Sequence, residues 1–259
     1  MVPVCGGWAQ AEGVEGTIDL SKFPADLFEE VIVPVPSEVF EVLDKLGQPN
    51  WRAEMRDQNN VNLTDRYEVA LQFGVVVADG FIAVQAQDRQ MIQNMGQEVR
   101  RLAQQLGLKD PVLKHAQSIM DSAERNDYDA VRLELDKTQR TVREEMEKMR
   151  DGELAQCVSI GGWLRGTEVV TALISKSFSA EKSELLNQPD LVAHFEKEIE
   201  RMKDNVRRGA KMKKVAKGLK TIGKAMRPSG DGMIQADAVA SINSTCAELV
   251  KLVAGGANS

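Results

Sequence analysis

The sequence predicts an all-α protein, a single bundle of about eight or nine mostly antiparallel helices that follows an irregular N-terminal arm. Aromatic residues make up only 5% of the 259 residues, whereas Met alone occurs 11 times, a composition typical of the aliphatic cores of helical bundles. Apolar residues recur at three- and four-residue steps in most segments, which is the period of an amphipathic helix. The connections between these segments are short, which favours antiparallel neighbours.

The predicted organisation has three parts. Residues 1–36 contain many Gly, Pro and acidic residues and are expected to form an irregular arm. Residues 37–208 are expected to form the helical core. Residues 209–259 carry a basic amphipathic helix and a C-terminal helix, which we expect to pack on that core. No Pro- or Ser-rich linker divides the chain, so a single domain is predicted.

Cap and stop residues place the individual helices. Ser37 is a favoured N-cap for the first helix, and Gly47 ends it. After a loop over 48–64, a long helical region is predicted from about Asp65 to Leu106. Further helices are predicted at 110–125, 127–150, 152–176, 179–188, 189–208, 210–226 and 234–253.

Two of these helices, near residues 67–86 and 153–176, contain several glycines in their interiors. A glycine there costs about 1 kcal/mol relative to alanine, so a helix that tolerates several is expected to gain the close approach of another backbone. We therefore expect these two helices to pack against each other, either antiparallel or crossed. The residues predicted at this contact are Gly74, Gly80, Gly162 and Gly166.

Each glycine-containing helix also carries an isolated charge among apolar neighbours, Asp79 in the first and Arg165 in the second. A buried charge must be paired or hydrogen-bonded, so we expect Asp79 to meet Arg165. Glu168 follows Arg165 by three residues and would lie on nearly the same face, where it can join the pair. Two interpretations stay open: a structural ion pair that specifies helix register, and a polar site that binds a small ligand.

The sharpest change in composition lies at residues 203–227, which contain ten Lys or Arg against one acidic residue. This segment carries +9 in a chain of net charge −6, so the remainder carries −15. An apolar stripe runs opposite the lysines, as in helices that lie on anionic membranes. The residues predicted to contact an anionic surface are Lys211, Lys213, Lys214, Lys217, Lys220 and Lys224.

Two other interpretations of the basic helix stay open. Its apolar stripe can dock on the acidic remainder of the chain, with the lysines merely solvated. Contact with nucleic acid is disfavoured, because no aromatic residue interleaves the charges for base stacking and the whole chain is acidic.

Residue patterns of known catalytic or cofactor chemistry are missing from the sequence. The two histidines, His115 and His194, lack the Glu-x-x-His pattern of di-iron bundles. The sequence also lacks the phosphate-binding glycine loop, the dinucleotide fingerprint and the Gly-x-Ser-x-Gly motif. We therefore expect no cofactor and no metal site. The predicted function is a non-enzymatic interaction or scaffold protein, with an unknown protein or an anionic membrane surface as its partner; an enzyme whose site is assembled from residues far apart in the sequence is an alternative.

The N-terminal sequence bears on cellular location. Ala9-Gln10-Ala11 has the small-x-small form of a signal-peptidase site, although the piece before it is too short for a complete signal. We expect an exported or periplasmic protein that keeps the end of a truncated signal peptide; a cytoplasmic protein with an N-terminal tail is the alternative. Cys157 and Cys246 fall on apolar helical faces, so we expect buried free thiols in preference to a disulfide.

Overall fold

The computed structural model of this chain describes residues 36–56, 63–108, 110–149, 151–228 and 233–255. Within these ranges the chain is helical without strands, which confirms the predicted all-α class, and nine α-helices have ten or more residues. The helices are α1 (Pro36–Lys45), α2 (Arg66–Gln85), α3 (Arg89–Leu106), α4 (Asp110–Glu124), α5 (Tyr128–Met149), α6 (Gly152–Lys176), α7 (Ala180–Ser183), α8 (Pro189–Arg201), α9 (Asp204–Arg207), α10 (Ala210–Ala225) and α11 (Ala236–Val253).

The predicted irregular arm, with Cys5 and the Ala9-Gln10-Ala11 pattern, lies outside the described residues except for Pro36, which begins α1. A short 3-10 helix at Trp51–Glu54 lies in the segment predicted as a loop, and a second one at Glu184–Leu186 follows α7.

The long helical region predicted over 65–106 consists of two helices, α2 and α3, and α2 corresponds to the glycine-containing helix predicted near 67–86. The chain reverses between them at Gln87, which has a positive φ of 49°. The Asp88 side chain then caps α3 by accepting a hydrogen bond of 3.0 Å from the backbone N–H of Met91. The sequence gives no stop signal at this reversal, because neither Gly nor Pro occurs between Gln85 and Gln90.

The helix predicted over 189–208 is also interrupted, at residues 202–203. The backbone N–H of Lys203 donates to Glu153 Oε1 at 2.6 Å. That amide would otherwise continue α8 by bonding to a carbonyl one turn earlier. A carboxylate on α6 therefore ends α8, and α9 begins at the next residue, Asp204.

The centre of the fold is the pair α2 and α6, which are buried on most of their surfaces. Helix α2 is packed between α6 and α3, and α11 covers another side of α6. By length and composition α2 could cross a membrane, but 78% of its apolar window is buried inside the protein, as in the core helix of a globular fold. The apolar cluster around this pair includes residues from both the 37–208 segment and the C-terminal helices.

Helices α2 and α6 run in the same direction, so of the two expected arrangements the antiparallel one is excluded, whereas the crossed one is not. Contacts ascend along both helices: Tyr67 Oη donates to Glu153, Gly74 lies against Gly162, and Asp79 meets Arg165. Three helices, α3 to α5, separate α2 from α6 in the chain. Successive reversals through these helices return α6 to the direction of α2, because short connections favour antiparallel neighbours.

The two backbones touch at Gly74 and Gly161. A methyl group at Gly74 would collide with the carbonyl oxygen of Val158, and one at Gly161 would collide with that of Leu71. A Cβ at Gly162 would lie 3.4 Å from the carbonyl oxygen of Gly74. Gly74 and Gly162 therefore lie at the close contact between the helices, together with Gly161, which the sequence interpretation missed.

The other two predicted contact residues, Gly80 and Gly166, do not belong to the contact, since a Cβ at either would have nothing within 4 Å. At about 100° per residue, Gly80 lies about 120° around α2 from Gly74 and therefore on a different face. Gly166 lies one turn beyond Gly162, past the point of closest approach.

These glycines give a matched test of the α2–α6 contact. We expect Gly74→Ala and Gly161→Ala each to lower the free energy of unfolding by about 1–3 kcal/mol, because rigid backbone atoms occupy the place of the new methyl group. We expect Gly80→Ala and Gly166→Ala to raise it by up to about 1 kcal/mol through helix propensity. Urea denaturation followed by circular dichroism measures both. Equal effects at Gly74 and Gly80 would contradict a backbone contact at Gly74.

Candidate functional site

A buried charge cluster lies between α2 and α6, C-terminal to their glycine contact. Arg165 is 3% exposed and Asp79 is 6% exposed. Arg165 Nε donates to Asp79 Oδ1 at 2.6 Å, so the expected meeting of these residues is present. Arg165 Nη1 donates to Glu168 Oε2 at 2.9 Å, and Glu168 therefore joins the pair as its spacing indicated.

The cluster also contains Arg56, which the sequence interpretation missed. Arg56 Nε donates to Asp79 Oδ2 at 2.7 Å. Arg56 follows the short 3-10 helix, whose Glu54 carbonyl oxygen accepts the third bond of Arg165, from Nη2. No periodic pattern could have identified Arg56, because it lies in an irregular segment 23 positions from Asp79.

The cluster satisfies its own charges. Two guanidinium groups, on Arg56 and Arg165, face two carboxylates, on Asp79 and Glu168. Burial by itself lowers the pKa of Arg165, but the charges of Asp79 and Glu168 outweigh it, so the net shift of that pKa is upward. Arg165 therefore stays charged. All three of its side-chain nitrogens donate hydrogen bonds to other groups of the protein, so the guanidinium has a structural role.

The same cluster connects four parts of the fold. Glu54 pairs with Lys176 at the end of α6. Asn243 Nδ2 of α11 donates a hydrogen bond of 2.7 Å to the backbone oxygen of Glu168 and one of 3.0 Å to Thr171 Oγ1. The 3-10 helix, α2, α6 and α11 are thus held in register by one polar network, which favours the structural interpretation of the pair.

A cleft of about 310 Å³ lies at the C-terminal end of α2, away from the buried cluster. Its walls are formed mainly by polar side chains and the turn after α2, and they include none of Asp79, Arg165 and Glu168. The lining residues are Gln48, Pro49, Asn50, Trp51, Arg52, Gln85, Ala86 and Gln87.

We expect Asp79→Asn to lower the free energy of unfolding by about 3–5 kcal/mol, because it removes the carboxylate shared by two partly or fully buried guanidinium groups. Asp44→Asn is the matched control. Asp44 is paired with Arg132 but its side chain is 51% exposed, so about 0–1 kcal/mol is expected there. Thermal and urea denaturation measure both variants. An unchanged stability of Asp79→Asn would exclude the proposed role of the pair.

The basic segment is built around α10, whose apolar stripe is buried. The stripe packs towards α11, where Gly218 lies against Leu249, and towards α8, where Gly223 lies against Val192. The face that would enter a bilayer is therefore occupied by the protein core. The buried stripe consists of Met212, Val215, Leu219, Ile222 and Met226.

The lysines of α10 differ in their partners. Lys211 is half-buried and its Nζ lies 2.9 Å from Glu68 Oε2, so the predicted surface role does not suit it. Lys220 Nζ lies 3.8 Å from Glu200 Oε1, a loose contact between exposed side chains. The others are exposed and form no salt bridge with the described residues; they are Lys213, Lys214, Lys217 and Lys224.

His115 lies in the seam between α4 and α5, in an arrangement that the sequence did not reveal. Its Nδ1 is 2.6 Å from Glu134 Oε1, and its Nε2 is 3.0 Å from Thr141 Oγ1. Glu134 and Thr141 lie two turns apart on α5, so the imidazole bridges both turns. Lys137 also donates to Glu134, at 3.1 Å. The hydrogen bonds of His115 to Glu134 and Thr141 therefore link α4 to α5.

Burial raises the pKa of Glu134, but hydrogen bonds from His115 and Lys137 outweigh it and the net pKa is lowered. The ionised carboxylate therefore contributes stability above its ordinary pKa of 4.5, and this contribution is lost as the pH falls through the lowered value. We expect the stability difference between wild type and Glu134→Gln to be largest above about pH 5 and to shrink towards about pH 3.

Denaturant unfolding at several pH values measures this difference, with Glu124→Gln as the control at an exposed position on α4. A difference that stays constant from about pH 5 to pH 3 would show that Glu134 does not act through its charge.

The two described cysteines, Cys157 and Cys246, are free and buried. Burial raises the pKa of both thiols, and nearby carboxylates add to the rise. Both therefore stay protonated and unreactive at neutral pH. In the part of the chain that the structure describes, no three His, Cys, Asp or Glu side chains are grouped to hold a metal ion.

Comparison of the chain with protein-family models, with curated proteins and with solved structures finds no match.

Proposed function

We propose that this chain is a non-enzymatic interaction protein that binds a densely anionic partner through the lysine face of α10, defined as Lys213, Lys214, Lys217, Lys220 and Lys224. The observation that carries the proposal is that these lysines are exposed while the apolar stripe of the same helix is buried. The helix is fixed in place by its stripe, so the lysine face is presented on a rigid element.

The charge distribution supports an anionic partner. Residues 203–227 carry +9, whereas the whole chain carries −6. A protein with this net charge is repelled by a polyanion on average, so attraction requires contact through the basic segment. The acidic remainder therefore orients the molecule, with the lysine face towards the partner.

The buried charge cluster supports a non-enzymatic role. Its most buried members, Asp79 and Arg165, bond to each other and to the surrounding protein. A group that serves as a general acid or base needs access to a substrate. The cluster instead stabilises the framework that carries α10 and α11, through Asn243 of α11.

Export of the chain is a separate proposal about location. It rests on the Ala9-Gln10-Ala11 pattern, and the alternative is a cytoplasmic protein. An in-frame stop codon directly upstream of the Met1 codon would contradict export.

Binding to dextran sulfate beads tests the lysine face with a simple polyanion. We expect wild type to be retained at roughly 50 mM salt and released at roughly 500 mM, because screening shortens the reach of exposed charges. Lys213→Glu/Lys217→Glu/Lys224→Glu should flow through at low salt.

The control for this experiment is Lys45→Glu/Lys114→Glu/Lys251→Glu, which changes the net charge equally at exposed lysines on other helices. This control should be retained like wild type. Identical elution of the two triple variants would show that net charge alone governs binding and would overturn the proposed surface.

A further inference from the structure

We propose that the anionic partner of the lysine face is a lipid bilayer surface, which the protein binds by charge alone and without inserting α10. This inference rests on the function proposed above and names the partner for the same surface. It differs from the usual mode of a basic amphipathic helix, which buries its apolar face at the boundary between headgroups and acyl chains.

Four of the lysines form a narrow row along α10. At about 100° per residue, Lys213, Lys217, Lys220 and Lys224 fall within an arc of roughly 60°. The row is about 16 Å long at a rise of 1.5 Å per residue. A straight row on the convex side of a helix reaches a flat surface with all of its charges at once, which suits a plane of headgroups.

The composition of the exposed face disfavours a protein partner. Protein interfaces derive most of their binding energy from buried aromatic or arginine anchors surrounded by weaker contacts. The exposed positions of α10 carry Lys, Ala210 and Thr221 but no aromatic residue and no Arg. Lysine is a strongly hydrated point charge, and it lacks the planar guanidinium group with which arginine binds a carboxylate through two hydrogen bonds. Such a face suits many diffuse anions better than one specific acidic site.

The same composition disfavours nucleic acid. Single strands are bound through aromatic side chains on which bases stack, and duplex sequence is read mostly by Arg, Asn and Gln. The lysine face of α10 offers none of these groups.

Insertion of α10 is prevented by the packing of its stripe. Leu219 and Ile222 are fully buried, and Met226 is 1% exposed. Exposing the stripe would remove apolar side chains from the core that α10 shares with α8 and α11. The bound state therefore keeps the folded structure, and its attraction comes from lysines near the headgroups, each worth roughly fivefold in partition constant.

Co-sedimentation with vesicles tests the inference on the full chain. The vesicles contain phosphatidylcholine alone or phosphatidylcholine with about one third phosphatidylserine. We expect wild type to bind only the vesicles with phosphatidylserine and to dissociate at roughly 500 mM salt. Lys213→Gln/Lys217→Gln/Lys224→Gln should bind about 100-fold more weakly, since it neutralises three lysines of the row. Lys45→Gln/Lys114→Gln/Lys251→Gln should bind like wild type.

Each other outcome overturns the inference. Binding to pure phosphatidylcholine, or binding that persists at high salt, would mean that apolar side chains insert. Equal weakening in both triple variants would place the contact elsewhere. Failure to bind anionic vesicles together with retention on dextran sulfate would exclude the bilayer and leave the proposed anionic surface standing. Failure of wild type to bind either anionic vesicles or dextran sulfate would overturn both the bilayer partner and the proposed lysine face.

Discussion

The backbone contact between α2 and α6 is the constraint on which the rest of the structure depends. Gly74 and Gly161 leave no room for a side chain, so the carbonyl oxygens of the facing helix occupy the space that a Cβ would fill. Such an approach offsets the helix-propensity cost of the glycines with packing between two main chains. Helix α3 packs on α2 and α11 packs on α6, and α4 and α10 pack in turn on α3 and α11.

The buried charge cluster follows from the same geometry. Past the glycine contact along both helices, Asp79 of α2 and Arg165 of α6 meet in a buried ion pair. Burying these groups costs several kcal/mol per ion, and it is tolerated because each charge has an opposite charge and further hydrogen bonds. Arg56 and Glu168 supply that compensation. Considered alone, each charged side chain resembles a ligand-binding group. Within the cluster, however, each charge already has an oppositely charged partner.

The role proposed for the basic helix depends on which of its faces the core covers. In isolation, a helix with an apolar stripe opposite a row of lysines is expected to lie in a membrane interface. The core formed with α8 and α11 takes up the stripe, and only the charged side remains available. In the proposed surface contact, the stability of the bundle and the mode of binding are therefore linked, because insertion would require the core to open.

The sequence by itself determined the all-α class, most helix ends, the burial of Asp79 and Arg165, and the contact between them, since periodicity, caps and isolated charges are local patterns. Only the tertiary structure decided the direction of α6 relative to α2, the turn at Gln87, the end of α8 at the Glu153 bond, and which glycines touch a neighbour. The tertiary structure also added Arg56 to the buried charge cluster and placed His115 between Glu134 and Thr141. These features depend on residues far apart in the chain, and no local pattern records which distant groups will meet.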